Sequence, residues 1–336
     1  MKVLYVGLAG SPCGGTRILA EHLNRLSDRG HDCELMLLIG NPIDWMPVRF
    51  KQSVARYTEG RALVPRYEHY DVVVATEINT WPMVATYSVF PNADRRKVFI
   101  QMVEHLFFKH DCNEWNKFRK WYDFLMILEP IVISEWLYDW VAPLSNTEPH
   151  IVPNGANTDM FYPDPMVITD DLRILIEGHG KNEAKDVADM SYRAAMWLRG
   201  LGVEFELWGF SQYPQPHEFD QYWRLPDQDT IRQIYSTCDI LLKASKYEGR
   251  SCVEIEAMAC GCAVNRAILT GDDDLKHGHN CLKTRYGNQS KFQSNLLAIV
   301  QDKVVMDTLK ANGLKYVREH LNWDDLVPLL EKALIA

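Results

Sequence analysis

No apolar run in this 336-residue chain approaches the length needed to cross a bilayer, so no transmembrane anchor is expected. The eight cysteines include no CxxC pair and no framework spacing, which implies reduced thiols and a cytosolic setting. The Cys260–Gly–Cys262 pair flanks a glycine at a helix stop, which turn geometry explains better than a metal does. Internal repeats and low-complexity tracts are absent. Positive charge is in deficit: 36 Lys+Arg against 45 Asp+Glu give a net charge of -9, which argues against a general nucleic-acid binder. The deficit is uneven, -2 over residues 1–155 and -7 over the remainder. The opening "MKVLYVGLAGSP" is too short in its apolar part for a signal peptide and reads as a first strand. After it, "GLAGSPCGG" (7–15) does not supply the G-x-G-x-x-G of a nicotinamide dehydrogenase.

What is present is a soluble, ordinary composition, 24% charged and 47% hydrophobic, with length for about two domains. Short apolar runs alternate with helical segments. "KVLYVG" (2–7), "CELMLLI", "DVVVAT" and "KVFIQM" read as strands, and residues 16–30 read as an amphipathic helix with Ile18, Leu19, Leu23 and Leu26 on one face. "PHIVPNG" (149–155) is a crossing between domains. The scheme then repeats with "RILIEG" (173–178), a helix over 186–199, "VEFELWG" (203–209), "DILLKA" (239–244) and "CAVN" (262–265). Such alternation predicts two doubly wound parallel α/β domains, with ligands held at the carboxyl ends of strands in a cleft. The boundaries expected are 1–155, 156–320 and a closing helix over 321–336 that packs across the domain junction.

The stretch "KYEGRSCVEIEAMACGCAV" (246–264) concentrates the chemistry. Ser251 and Glu254 form a capping box, and Gly261 is the left-handed stop, so a helix spans about 252–260. Strand, glycine-bearing loop and helix aim backbone N–H groups at an anion, favourably a phosphate. The cap alone accounts for Glu254. Glu248 and Glu256 remain: a carboxylate beside a phosphate is repelled, so these two suit hydroxyls at either end of a nucleotide sugar's diphosphate. The competing reading makes both of them solvated surface residues.

This stretch resembles the glutamate-seven-glutamate signature of glycosyltransferase family 4, retaining enzymes with the GT-B fold. "GGTRILAEHLNRLSDRGHDCEL" (14–35), "VISEWLYDWV" (132–141), "IVPNGANTDMFYP" (151–163) and "TGDDDLKHGHNCL" (270–282) resemble other family segments in order and spacing. The resemblance implies a donor nucleotide-diphosphate sugar, no metal or other cofactor, and a glycan, lipid-linked or small-molecule acceptor. It implies that Glu248 holds donor-sugar hydroxyls and Glu256 the ribose. The backbone of Gly249, Arg250, Ser251, Cys252 and Val253 would cradle the distal phosphate. Lys185, or Lys181 as its rival, would neutralise the leaving diphosphate, and His105, with His110 as rival, would lie near the donor sugar. Gly14 and Gly15 would allow close backbone approach, although a tight strand-to-helix turn also explains both.

The chain departs from the family pattern in two places: "EGHGKNE" carries His179 where an arginine is usual, and Arg250-Ser251-Cys252-Val253 replaces Phe-Gly-Leu-Pro. "DDD" (272–274) reads as a solvated turn with Asp274 near the donor, and His277 and His279 as a polar loop. In "FFKHDCNEWNKFRKWYDFLM" (107–126), Trp115, Phe118, Tyr122 and Leu125 recur at helical spacing and read as core. Lys117, Arg119 and Lys120, with "RRK" (95–97) just before, would favour a peripheral contact of the N-terminal domain with anionic lipid at the cytoplasmic face of a membrane. Alternatives in the same fold are a nucleotide-sugar epimerase and a catalytically silent nucleotide-sugar-binding subunit.

Overall fold

The computed structural model describes residues 1–58, 63–108, 110, 112–164, 171–178, 187–271 and 274–336. The chain divides into two compact units, Met1–Asn154 with Asp324–Ala336, and Gly155–Trp323.

The first unit is built on a seven-stranded, all-parallel sheet. Its strands are β1 (Lys2–Gly7), β2 (Asp32–Leu37), β3 (Lys51–Val54), β4 (Tyr70–Ala75), β5 (Ala93–Ile100), β6 (Glu129–Val132) and β7 (His150–Ile151). Their spatial order is β3-β2-β1-β4-β5-β6-β7, so the winding reverses between β1 and β4. Helix α1 (Gly14–Asp28) begins two residues before the periodic pattern does, because Cys13 serves as N-cap through its sulfur, 3.4 Å from the N–H of Thr16. The closing helix α10 (Trp323–Ile335) is fastened beside α1: Glu331 accepts from Arg29 at 2.7 and 2.8 Å and lies 2.8 Å from His31.

Under α1 the imidazole of His22 is fully buried, 3.3 Å from the Tyr5 hydroxyl and against Phe99. Burial pushes it down to about 3 from an ordinary 6.5. Native His22 therefore stays neutral where an unfolded chain takes up a proton, and stability falls as pH drops below 6.5. The loss approaches about 1.4 kcal/mol per pH unit. Because buried Glu104, pushed up to about 8, contributes a slope of the opposite sign over the same range, the His22 contribution is read as a difference: in urea unfolding from pH 7 to 5 the wild type should lose stability relative to His22→Phe, which cannot titrate, by this amount.

The "RRK" segment requires a correction. Strand β5 starts at Ala93, earlier than "KVFIQM" suggested, and carries Arg96 and Lys97 into the interior, 7% and 0% exposed. Arg96 donates to the carbonyls of Ala93 and Phe90, and Lys97 to Glu129 at 2.5 Å. These two cations are structural and offer nothing to a lipid surface. The aromatic stripe is core as its spacing implied: Phe118, Tyr122 and Leu125 are buried, Trp115 half-buried. Its helix α3 (Asn113–Trp121) tightens into a 3-10 turn over Tyr122–Met126.

The second unit holds a six-stranded parallel sheet: β8 (Arg173–Gly178), β9 (Glu206–Ser211), β10 (Gln221–Arg224), β11 (Ile240–Tyr247), β12 (Ala263–Thr270) and β13 (Leu282–Arg285). The order is β10-β9-β8-β11-β12-β13, which places the reversal between β8 and β11. Side chains alternate across it. Ile174, Ile176, Ile240, Leu242 and Ala244 pack with α5 (Val187–Gly200) and α8 (Gln289–Gln301). Leu175, Leu241 and Val264 pack on the other face with α6 (Gln228–Thr237) and α7 (Cys252–Ala259).

Candidate nucleotide-sugar site

The local predictions around residue 251 translate directly into geometry. Strand β11 runs three residues past the expected end and delivers Glu248 beside the carboxyl end of β8, where an open α/β sheet binds ligands. Ser251 caps the helix, its hydroxyl accepting from the N–H of Glu254 at 3.4 Å. Gly261 ends it at φ +89°. Helix α7 therefore opens its first turn, whose N–H groups have no intrahelical acceptor, at the sheet's reversal point. Gly249, Arg250 and Ser251 are buried there, while Cys252 and Val253 are half-buried.

Glu248 and Glu256 are both buried, 8% and 4% exposed, which rules out a solvated surface role for either. Glu248 Oε1 accepts from Ser245 Oγ at 2.9 Å and lies 3.6 Å from Lys243 Nζ. Lys243, itself 4% exposed, donates to Glu177 Oε2 at 2.5 Å. Burial opposes the lysine's charge, but Glu177 and Glu248 outweigh it and raise its pKa above the ordinary lysine range. Glu254 departs from the expectation that the cap alone explains it. Its carboxylate, 2% exposed, lies 3.3 Å from the guanidinium of Arg266, 1% exposed on β12. Positions 177, 243 and 266 share the strand parity of Leu175, Leu241 and Val264, so all three charges enter the layer beneath α7.

Arg250 is held rather than left to range. Its guanidinium donates to Asp274 at 2.8 Å and to the Tyr316 hydroxyl at 2.6 Å, and Tyr316 also donates to Asp274. Burial pushes the Asp274 carboxyl up, yet the charge of Arg250 and these hydrogen bonds keep it below the usual range. Asp274 is thus an anchor for the signature loop and not merely part of a solvated turn; Asp272 and Asp273 lie outside the described residues. Gly271 completes the loop at φ +110°, where a Cβ would fall 1.9 Å from the carbonyl oxygen of Glu248. His277 accepts from the N–H of Lys283 at 2.8 Å, and the His279 carbonyl accepts from Asn312, as suits a polar loop. Cys262 donates to the carbonyls of Tyr235 and Cys238 from inside the core.

Lys185, Lys181 and His179 lie outside the described residues, in the segment after β8. In the first unit, Gly14 and Gly15 open α1. A Cβ on Gly15 would meet the Gln101 amide at an ordinary 3.5 Å; close approach occurs instead at Gly10, 2.5 Å from the Asn41 carbonyl. His105 follows β5 in a 3-10 turn, Glu104–Phe107. Its Nδ1 is 3.1 Å from the Tyr122 hydroxyl, and its ring meets Trp115 edge-on. Burial and then the charge of Arg119 lower its pKa, favouring neutral imidazole. With Arg119, Tyr122 and Trp140 it lines a cavity of about 570 Å³. His110 packs on Trp115, ring centroids 4.3 Å apart. Burial pushes Glu104, adjacent to His105, up to about 8.

Sequence reasoning passed over Lys243, Glu177 and Arg266. The available signal was a charged residue at an inward position of each buried strand.

No protein-family model and no curated protein sequence matches the chain. Solved structures do, along their full length. Sucrose-phosphate synthase from Thermosynechococcus elongatus matches with TM-score 0.77 at 13% identity, covering 99% of this chain and 98% of that one. Anabaena HepE in complex with UDP and glucose matches with TM-score 0.76 at 14% identity, covering 99% of each. A TarM variant of S. aureus in complex with fondaparinux, alpha-GlcNAc-glycerol and UDP matches with TM-score 0.76 at 9% identity, covering 100% of each. The chain has the GT-B fold of these glycosyltransferases. At such identities the likeness establishes the fold, and function has to be argued from the site.

Proposed function

We propose that the protein is a retaining glycosyltransferase, similar to family 4, that moves a sugar from a nucleotide-diphosphate donor to an acceptor hydroxyl in glycan, polysaccharide or glycolipid assembly. The observation that carries this reading is the pair of buried glutamates, Glu248 and Glu256, set on either side of the helix start at the β8/β11 reversal. Neighbours of the same fold that were crystallised with UDP or UDP-glucose support it.

In this reading the first turn of α7 receives the distal phosphate through the backbone of Arg250 to Val253. Glu256 holds ribose hydroxyls and Glu248 donor-sugar hydroxyls, each a carboxylate accepting from O–H. The anomeric C–O bond breaks with its electron pair leaving on the diphosphate oxygen, the acceptor oxygen forms the new glycosidic bond, and the acceptor's proton passes to that departing diphosphate oxygen. Lys185, or Lys181 as its rival, stabilises the charge left on the diphosphate, an electrostatic contribution that needs no metal. His105, Gly14 and Gly15 serve the sugar and acceptor side. The first unit takes a glycan, lipid-linked or small-molecule acceptor. Lys117 and Lys120 on α3, with exposed Met126 and Ile127, are the groups that would touch anionic lipid at the cytoplasmic face. Among the described residues no helix is long and apolar enough to cross a membrane.

The roles separate experimentally. Glu256→Ala should weaken nucleoside-diphosphate binding by about tenfold or more, the cost of losing charge-assisted hydrogen bonds. Glu248→Ala should bind the diphosphate normally while release of diphosphate from nucleotide sugar falls by about a hundredfold. Equal loss of nucleotide affinity in both variants contradicts this division. Binding without any turnover by the wild type would favour a silent subunit, and a changed sugar epimer an epimerase.

A further inference from the structure

We infer that Lys243, paired with Glu177, is a positioning residue that fixes the carboxylate of Glu248 for the donor sugar; this rests on the glycosyltransferase reading. Three observations meet. Lys243 sits four residues into β11, 4% exposed, at the parity that points beneath α7. It follows Leu242, whose partner Ile176 precedes Glu177, so the two charges are neighbours across the β8/β11 reversal. Its ammonium reaches Glu177 at 2.5 Å and stands 3.6 Å from the same Glu248 oxygen that Ser245 holds at 2.9 Å.

Packing alone does not call for this arrangement. Burying an ion pair costs desolvation that a pair of apolar side chains would avoid, so a buried Lys–Glu pair is weak evidence for stability. Here it borders a functional carboxylate. Glu177 offsets the lysine's charge, so Lys243 reaches toward Glu248 without leaving a net cation under the helix. Ser245 and Lys243 then both hold the same carboxylate oxygen, which limits where it can move. A hydroxyl-binding carboxylate gains from such restraint because misplacement by about 1 Å can cost about a hundredfold in rate. Lys243 acts through Glu248 and is not assigned a contact with the diphosphate.

Lys243→Met alone would leave the half-buried carboxylate of Glu177 without its cation and risks misfolding, so the test removes both charges at once. Lys243→Met/Glu177→Gln is compared with wild type using UDP, GDP, ADP and dTDP and the corresponding nucleotide-glucose compounds. The expected result is unchanged affinity for the diphosphate that the wild type binds, with donor turnover down by about ten- to a hundredfold. In a Glu248→Gln background the same double substitution should lower turnover no further, because the three groups act as one unit. Wild-type turnover in the double variant overturns the proposal and leaves the pair as packing. Loss of diphosphate binding also overturns it, since the pair would then shape the whole loop. A wild type that binds none of the four diphosphates removes the glycosyltransferase reading itself, and the proposal with it.

Discussion

Gly271→Ala is expected to destabilise the second unit by about 3–5 kcal/mol and, on the proposed function, to remove nucleotide binding with it. Two costs coincide at this residue. Its φ of +110° is one that side-chain-bearing residues rarely adopt, and its missing Cβ would lie 1.9 Å from Glu248 O and 2.8 Å from Glu248 C. Both are backbone atoms, and the same stretch is held by the Glu248 N–H bonding to Thr270 O at 3.1 Å. Neither strand end can yield without moving the signature loop. Gly287→Ala is the control. Its φ of +89° is also positive, but its Cβ would meet nothing within 4 Å. It should lose only the conformational term, about 1–2 kcal/mol. Thermal unfolding would separate the two by several degrees. Equal midpoints would mean that the loop is not held by close approach at Gly271.

Arg266→Met is expected to cost about 3–5 kcal/mol, because it leaves the carboxylate of Glu254 buried without the cation 3.3 Å away. The compensating change is specific. Arg266→Met/Glu254→Gln should recover most of the loss, since removing both members of a buried pair is often neutral. The double-mutant cycle therefore predicts strong coupling, measured by urea unfolding of the two single variants and the double. Additive losses would show that Arg266 is held by other groups and that Glu254 serves the helix cap alone.

How much could be read from the sequence depended on the range of each interaction. Ser251 as cap, Gly261 as stop and the positions of Glu248 and Glu256 are set within a dozen residues by capping and left-handed geometry, and these appear as expected. The aromatic stripe at Phe118, Tyr122 and Leu125 was legible for the same reason. What escaped is non-local. "DILLKA" reads as a buried strand, yet the partner that makes its lysine tolerable is Glu177, 66 positions earlier. Glu254 looked fully accounted for by the cap because Arg266 approaches it from a neighbouring strand. Arg96 and Lys97 read as surface basic residues because the apolar run itself opens only at Lys97; a strand that starts at Ala93 makes their burial part of the sheet. In each case a charged side chain on a buried strand marked a partner elsewhere in the fold.

The central claim is that Glu256 and the first turn of α7 form a nucleotide site. It is tested most directly by thermal-shift measurements with UDP, GDP, ADP and dTDP, on wild type and Glu256→Ala side by side. Ligand at about a hundred times its dissociation constant should stabilise the protein by roughly 2.7 kcal/mol, a shift of several degrees. The account predicts such a shift for at least one diphosphate with the wild type and little or none with Glu256→Ala. No shift with any of the four, or an equal shift in the variant, would contradict it.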